Sequence, residues 1–322
     1  MKVKSILLTW ALILGGFILF SQYCNEPVSE DSADQPSSDT LVIEKNEASV
    51  DFHQKEVIST RLSFEKRHIP ETLNWEKIDK GLEYVEADAP LLASVGDSKI
   101  SILKIDPEVY KFELLSAKIK GRENKTVEEW ADDFGLIAVI NAGMFQTDYK
   151  TNVGFMKNYD FINNSHMQKD YNLMAAFNRK SDNVAPFQLI DLECQPWEEW
   201  KNKYNSYTQS IRMIDCNQEN KWSKQERFWS MITIGTDQAG NVLFVFTRTP
   251  YRVHDFTNMI LQLPLNIDRL MYLEGGPEAS LFVKYKGKEV KKMGSYESGF
   301  NQADDNYHFW SLPNVIGVKK IN

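Results

Sequence analysis

The chain has 322 residues and a formal net charge of -8, with hydrophobic residues at 42% and aromatics at 12%. That apolar content is enough for a sizeable core and excludes global disorder. The body of the chain holds no dense Lys/Arg block, which argues against nucleic acid as a partner, because such binding needs a basic face to neutralise phosphates.

The first 24 residues read as a signal or anchor segment. Lys2 and Lys4 precede a stretch without charge from Ser5 to Cys24, whose apolar part runs from Ile6 to Phe20. Such a run partitions into a bilayer and is read by export machinery. The positive charges come first, so the rest of the chain is expected outside the cytoplasm, periplasmic or at the cell surface, tethered to the membrane. No Ala-x-Ala cleavage signal stands out. Cys24 closes the run as a lipidated cysteine would, although Gln22 and Tyr23 are unusual residues before such a site. An uncleaved anchor, a lipoprotein and a cleaved signal are all compatible with these residues. Residues 25–74 read as an acidic, Ser/Pro-rich linker and a loosely patterned lead-in, with room for a helix before Pro70.

A single domain is expected over 75–322. Alternating polar and apolar residues predict strands over 81–86, 98–105 and 110–115, with Asp106-Pro107 as a turn. Thr126 and Glu129 have the spacing of a capping box, which opens a helix carrying Trp130 and ending near Gly135. The continuous apolar run Leu136–Ile140 suits a strand buried on both faces. Further strands are expected over 173–177, 187–190, 269–273, 282–285 and 313–318. A hairpin is expected over 229–246, turning at 237–240, and a helix over 254–263 before Pro264. Many strands with few helices give an α+β, mixed α/β class, built of mixed but largely antiparallel sheets flanked by a few helices.

Four segments carry candidate chemistry. In Val139-Ile-Asn-Ala-Gly-Met-Phe145 a buried strand runs into a turn, where Asn141 offers a donor and an acceptor and Gly143 admits a ligand close to the backbone. In Tyr272-Leu-Glu-Gly-Gly-Pro-Glu-Ala-Ser280 a carboxylate, Glu274, ends an apolar strand, a common ligand position. There Gly275 and Gly276 expose backbone amides, and Glu278 and Ser280 add an acid and a hydroxyl. Arg248 leaves a strand end and suits a phosphate or carboxylate, while His254 and Asp255 begin the following helix, where Asp255 also suits a cap. Arg212 lies among apolar residues, so its guanidinium needs a partner, either a substrate anion or a structural carboxylate.

Three cysteines occur, Cys24, Cys194 and Cys216. In an oxidising compartment Cys194 and Cys216 can pair, leaving Cys24 for a lipid; two unpaired buried thiols are the alternative. No close Cys/His cluster suggests zinc. The acidic turns can hold a divalent ion, but no ligand spacing demands one, so no cofactor is expected.

Taken together, Ile140-Asn-Ala-Gly-Met-Phe145, the hairpin segment Thr233–Asn241 and Met271–Ser280 resemble the phosphodiester glycosidase domain family, in the family's motif order over about residues 80–320. The family's late turn is commonly Asp-Gly-Gly-Gly-Ser. Here Glu274 stands in place of Asp, Pro277-Glu278-Ala279 intervenes before Ser280, and Phe228–Gly235 lacks the paired arginines often seen before that strand. The resemblance implies a hydrolase that cleaves a sugar-phosphodiester or related glycosidic bond in an envelope glycan. In that scheme Glu274 acts as acid/base or orients the sugar. Asp255 or Glu278 supplies the second carboxylate, and Arg212 and Arg248 neutralise phosphate, with Asn141, Gly275 and Gly276 positioning it. The alternatives are a surface-tethered glycan-binding protein on the same fold, without turnover, and a structural envelope protein.

Overall fold

The computed structural model describes residues 62–321. The N-terminal apolar run, Cys24 and most of the acidic linker lie outside the described residues. Within them, no helix is long and apolar enough to cross a membrane.

The fold is more strand-rich than an even α+β mix, with 45% of residues in strands and 10% in helices. Three large sheets and a two-stranded one carry the described residues, and every ladder between neighbouring strands is antiparallel. A seven-stranded sheet has the order Arg212–Ile214, Ile267–Gly275, Trp229–Asp237, Val242–Tyr251, Lys99–Ile105, Leu82–Asp88 and Glu76–Asp79. A five-stranded sheet has the order Lys288–Met293, Ser280–Tyr285, Ala138–Asn141, Asn314–Lys320 and Tyr110–Ser116. In the other five-stranded sheet, Leu173–Arg179 and Tyr204–Ser210 pair beside each other.

The inner faces of these sheets share one hydrophobic core. Leu103, Phe112, Ile140, Phe177, Ile232, Phe244 and Leu273 are among its buried members. A second cluster covers the opposite face of the seven-stranded sheet, where helix Val253–Gln262 contributes Phe256, Met259 and Ile260. A third lies under helix Val127–Phe134, whose Trp130 is fully buried and donates its indole N–H to the Leu312 carbonyl at 3.0 Å. That helix starts as expected. Glu129 N–H donates to Thr126 Oγ1 at 3.2 Å, and Thr126 N–H donates to the Glu129 carboxylate at 2.7 Å. Gly135 closes it in the left-handed region.

The expected strands and helices within 75–322 are present, and the run at Leu136–Ile140 does become a central strand, over Ala138–Asn141. Paired structure reaches further back than residue 75: Phe64–Lys66 pairs with Leu91–Ala93, and the described residues before Pro70 contain no helix. The strand Tyr204–Ser210 was hidden by its polar sequence. Its polar side chains can be buried because most find a partner: Thr208 donates to the Ala142 carbonyl at 2.8 Å, and Gln209 donates to the carbonyls of Gln168 and Tyr171, while the Ser210 hydroxyl has none.

One irregularity matters for the site. Strand Ile267–Gly275 pairs with Trp229–Asp237 as Thr233 opposite Tyr272, then Ile232 opposite Glu274, so Leu273 is an extra residue in the ladder. Such a bulge re-aims the side chains that follow it.

Candidate active site

The strand Ile267–Gly275 sends Met271 and Leu273 into the core between the sheets, while Tyr272 and Glu274 face a cleft on the other side. After Gly275 the chain makes one 3-10 turn, Gly276–Glu278, and enters strand Ser280–Tyr285 of the neighbouring sheet. The predicted floor is therefore the crossover between two sheets. Gly275 is forced by packing: a Cβ there would lie 2.3 Å from the Tyr272 hydroxyl and 2.5 Å from the Trp229 ring. Gly276 is forced by backbone, at φ 64, and lets the Glu297 carboxylate approach.

Asn141 holds this crossover from the adjacent strand. Its Nδ2 donates to the Glu278 carbonyl at 3.0 Å, and its Oδ1 accepts from the Ser280 N–H at 2.9 Å. The Ser280 hydroxyl turns back on the same Glu278 carbonyl at 3.0 Å and is fully buried. Asn141 and Ser280 thus shape the turn from beneath. Gly143 packs against Asn152, and the next two residues, Met144 and Phe145, form part of the cleft wall.

The cleft holds about 480 Å³. Trp222, Trp229, Tyr272, Phe145 and Ile211 supply its apolar surface, and Glu274, Glu278, Glu297 and Arg227 its charged groups. Burial pushes the Glu274 carboxyl up to about 8, helped by the negative charges of Glu278 and Glu297 and opposed by the Gly275 N–H, which donates to it at 3.1 Å. Part of Glu274 still faces the opening, so dense apolar surroundings rather than full enclosure desolvate it. Burial, then Glu297, raises Glu278 as well. Burial and the neighbouring Glu274 hold the Tyr272 phenol well above its ordinary value. Arg227 pairs with Glu297 at 2.9 Å on the rim.

This arrangement offers a carboxyl protonated near neutral pH beside two further carboxyl groups, between rings that can stack on a sugar. Carboxyl pairs whose environments set their protonation apart divide acid and base roles.

The other expected residues lie elsewhere. The Arg248 guanidinium donates to the carbonyls of Met293, Asn306 and Asp304 and pairs with the Asp304 carboxylate at 2.7 Å. It fastens the segment 293–307, which also carries Glu297, and its own donors are engaged there. Arg212 pairs with buried Asp191 at 2.7 Å and with Glu193 at 2.9 Å, the structural carboxylates its setting called for. It lines a smaller cleft of about 200 Å³ that shares Ile211 and Trp222 with the main one. His254 and Asp255 sit together on the first turn of helix Val253–Gln262, 3.5 Å apart, with Arg252 3.6 Å from Asp255. Neither lines the carboxylate cleft.

Cys194 and Cys216 are joined in a disulfide. Among the described residues, the close group of metal-type donors is Asp191 with these two cysteines. The disulfide uses both sulfurs, so that group does not make a metal set. A separate cleft of about 270 Å³ near Tyr110 and Phe112 includes Arg179, already paired with Glu108 and Asp182.

Arg227, Glu297, Trp222 and Trp229 were not singled out from the sequence. Arg227 stands directly before the strand that lacks paired arginines, and Glu297 lies between Gly294 and Gly299 in a turn-rich stretch. Those glycines were the available signal.

The family model for phosphodiester glycosidase (NAGPA) matches residues 134–319, more than half of the chain. The fold is similar to the zebrafish N-acetylglucosamine-1-phosphodiester alpha-N-acetylglucosaminidase catalytic domain auto-inhibited by its pro-peptide. The TM-score is 0.52 at 10% identity, covering 81% of this chain and 88% of that one. It is also similar to a hypothetical protein from Synechocystis, with a TM-score of 0.51 at 12% identity over 77% of this chain and 64% of that one. At these identities the likeness is one of fold. No curated protein matches the chain.

Proposed function

Because the chain belongs to the phosphodiester glycosidase family, we propose that it hydrolyses the glycosidic bond of a sugar phosphodiester in the cleft floored by Glu274, Gly275 and Glu278. The observation that carries this reading is the placement of Glu274 at the crossover turn, with Glu278 and Glu297 nearby and Trp222, Trp229 and Tyr272 as walls. A neutral Glu274 donates to the departing phosphate oxygen, where an ionised one would repel it. Glu278 or Glu297 takes the proton of the attacking water. Tryptophan and tyrosine faces position the sugar ring.

The substrate suggested by this chemistry is an envelope glycan carrying a sugar-phosphodiester link. The apolar N-terminal segment supports an exported, membrane-tethered protein. The aromatic walls equally suit glycan binding without turnover.

Hydrolysis of a sugar-1-phosphodiester by the purified chain tests the reading, with Glu274→Gln as the control that keeps shape and removes the titrating group. A loss of about a hundredfold or more is expected. Undiminished turnover by Glu274→Gln would remove Glu274 from the chemistry, and saturable glycan binding with no turnover by the native chain would favour the binding reading.

A further inference from the structure

Two hydrogen-bond donors, an indole N–H and a phenol, meet in the wall of the cleft. Trp229 Nε1 is buried and has no hydrogen-bond partner. The Tyr272 hydroxyl lies beside it over Gly275, on a side chain only 5% exposed, close to the indole N–H but without the geometry of a full hydrogen bond to it. Both atoms crowd the space where any other residue at 275 would place its Cβ, at 2.9 Å and 2.3 Å. A buried donor left unmet costs stability, and the indole N–H is one, with the phenol beside it in the wall of the cleft.

We propose that Tyr272 and Trp229 form a neutral receptor for a non-bridging phosphodiester oxygen, an inference that rests on the reading of this cleft as a phosphodiester glycosidase site. The receptor requires an acceptor-only ligand atom. Trp229 can only donate. Burial and Glu274 hold the Tyr272 phenol above its ordinary value, so near neutral pH it too presents a donor to an anion.

The use of uncharged donors follows from the neighbour they serve. A guanidinium beside Glu274 would favour its ionised form and remove the proton that the departing oxygen needs. The arginines are placed accordingly. Arg212 and Arg248 are spent on Asp191, Glu193 and Asp304, and Arg227, whose guanidinium lies 5.6 Å from the Trp229 ring centre, is held at the rim by Glu297, its side chain 60% exposed. The bound oxygen, being negative, reinforces the neutral form of Glu274. Tyr272 and Trp229 are therefore binding residues that also preserve the acid.

Phosphorus NMR titration of the full chain with dimethyl phosphate, a minimal phosphodiester, tests the receptor without requiring turnover. Saturable shift or broadening is expected for the native protein. Tyr272→Phe and Trp229→Phe keep the rings and delete one donor each, and each should weaken binding about tenfold or more, as expected for a hydrogen bond to a charged acceptor. Melting curves establish that both variants fold; if one does not, the other decides. Absence of binding by the native chain, or equal binding by the folded variants, overturns the proposal. Turnover without dimethyl phosphate binding sinks the receptor and leaves the hydrolase reading standing; donor-dependent binding without turnover does the reverse.

Discussion

Asn141 closes a bracket around the residue that follows Glu278. Its amide nitrogen holds the Glu278 carbonyl and its amide oxygen holds the Ser280 N–H, across a sequence gap of 137 and 139 residues. The bond pair ties the end of one strand to the turn that joins two sheets. Asn141→Ala leaves the Ser280 N–H buried without its partner, at roughly 1–3 kcal/mol, and leaves the Glu278 carbonyl held by the Ser280 hydroxyl alone. Chemical denaturation should show a loss of a few kcal/mol, and hydrolysis should fall with it as Glu278 loses its support. Asn141→Asp retains the acceptor but places a negative charge against the Glu278 carbonyl, so it should recover only part of the stability. Wild-type stability in Asn141→Ala would show the bracket to be dispensable.

Glu274 links pH to stability in the unusual direction. Its carboxyl is raised in the folded protein from 4.5 to about 8. Between these values the folded state binds more protons than the unfolded one, so this group makes the protein less stable as pH rises. Below about pH 4 both states are protonated and the effect is absent; above about pH 8 it is complete. Glu274→Gln should therefore match the native protein in unfolding free energy at pH 4 and exceed it at pH 9, by an amount on the order of a few kcal/mol, with a correspondingly higher melting temperature. In the same framework hydrolysis by the native chain declines as pH passes through about 8, because the proton donor is lost. Equal melting temperatures of the two proteins at pH 9 would show that the carboxyl is not desolvated.

Gly275→Ala forces a methyl group into the Tyr272 hydroxyl and the Trp229 ring. Neither ring can retreat freely, since Tyr272 packs on Trp222 with centroids 5.4 Å apart and Trp229 is hemmed by the Glu297 segment. Overpacking of this kind costs about 1–3 kcal/mol. The larger expected effect is on the cleft: substrate binding should weaken at least tenfold while the rest of the fold, followed by far-ultraviolet circular dichroism, is unchanged. Intact binding by this variant would mean that Tyr272 and Trp229 move easily.

The Cys194–Cys216 link closes a loop with a sequence separation of 22. Loop-closure entropy puts its contribution at about 3 kcal/mol. It also fixes the turn in which Asp191 accepts from Arg212 and from the Cys216 N–H at 3.1 Å. A Cys194→Ser, Cys216→Ser double variant should melt several degrees lower than the native chain, and a reductant should lower the native midpoint without affecting the variant. A native midpoint insensitive to reductant would show that the bond adds nothing.

Much of the fold was legible because its signals are local. The capping spacing of Thr126 and Glu129, the unbroken run before Asn141 and the turn at Asp237–Asn241 each specify structure within a few residues. The strand Tyr204–Ser210 was not legible, because its burial depends on hydrogen bonds to Gln168, Tyr171 and Ala142, none of which is near it in sequence. The site divides in the same way. Glu274 and Glu278 were marked by one glycine-rich turn, but Glu297 and Arg227 arrive from separate segments that only the folded chain brings alongside. Arg248 illustrates the converse. A strand-end arginine has the look of an anion clamp, yet its donors are absorbed by backbone carbonyls 45 to 58 residues away.

The extra residue at Leu273 has an evolutionary corollary. Between Thr236 and Thr233 the two long strands keep a regular register; beyond Thr233, Glu274 and its turn are released from that register. Insertions and replacements past this point need not propagate into the sheet. The Pro277-Glu278-Ala279 segment sits on the released side. The bulge thus works as a joint at which one scaffold can exchange its reactive end.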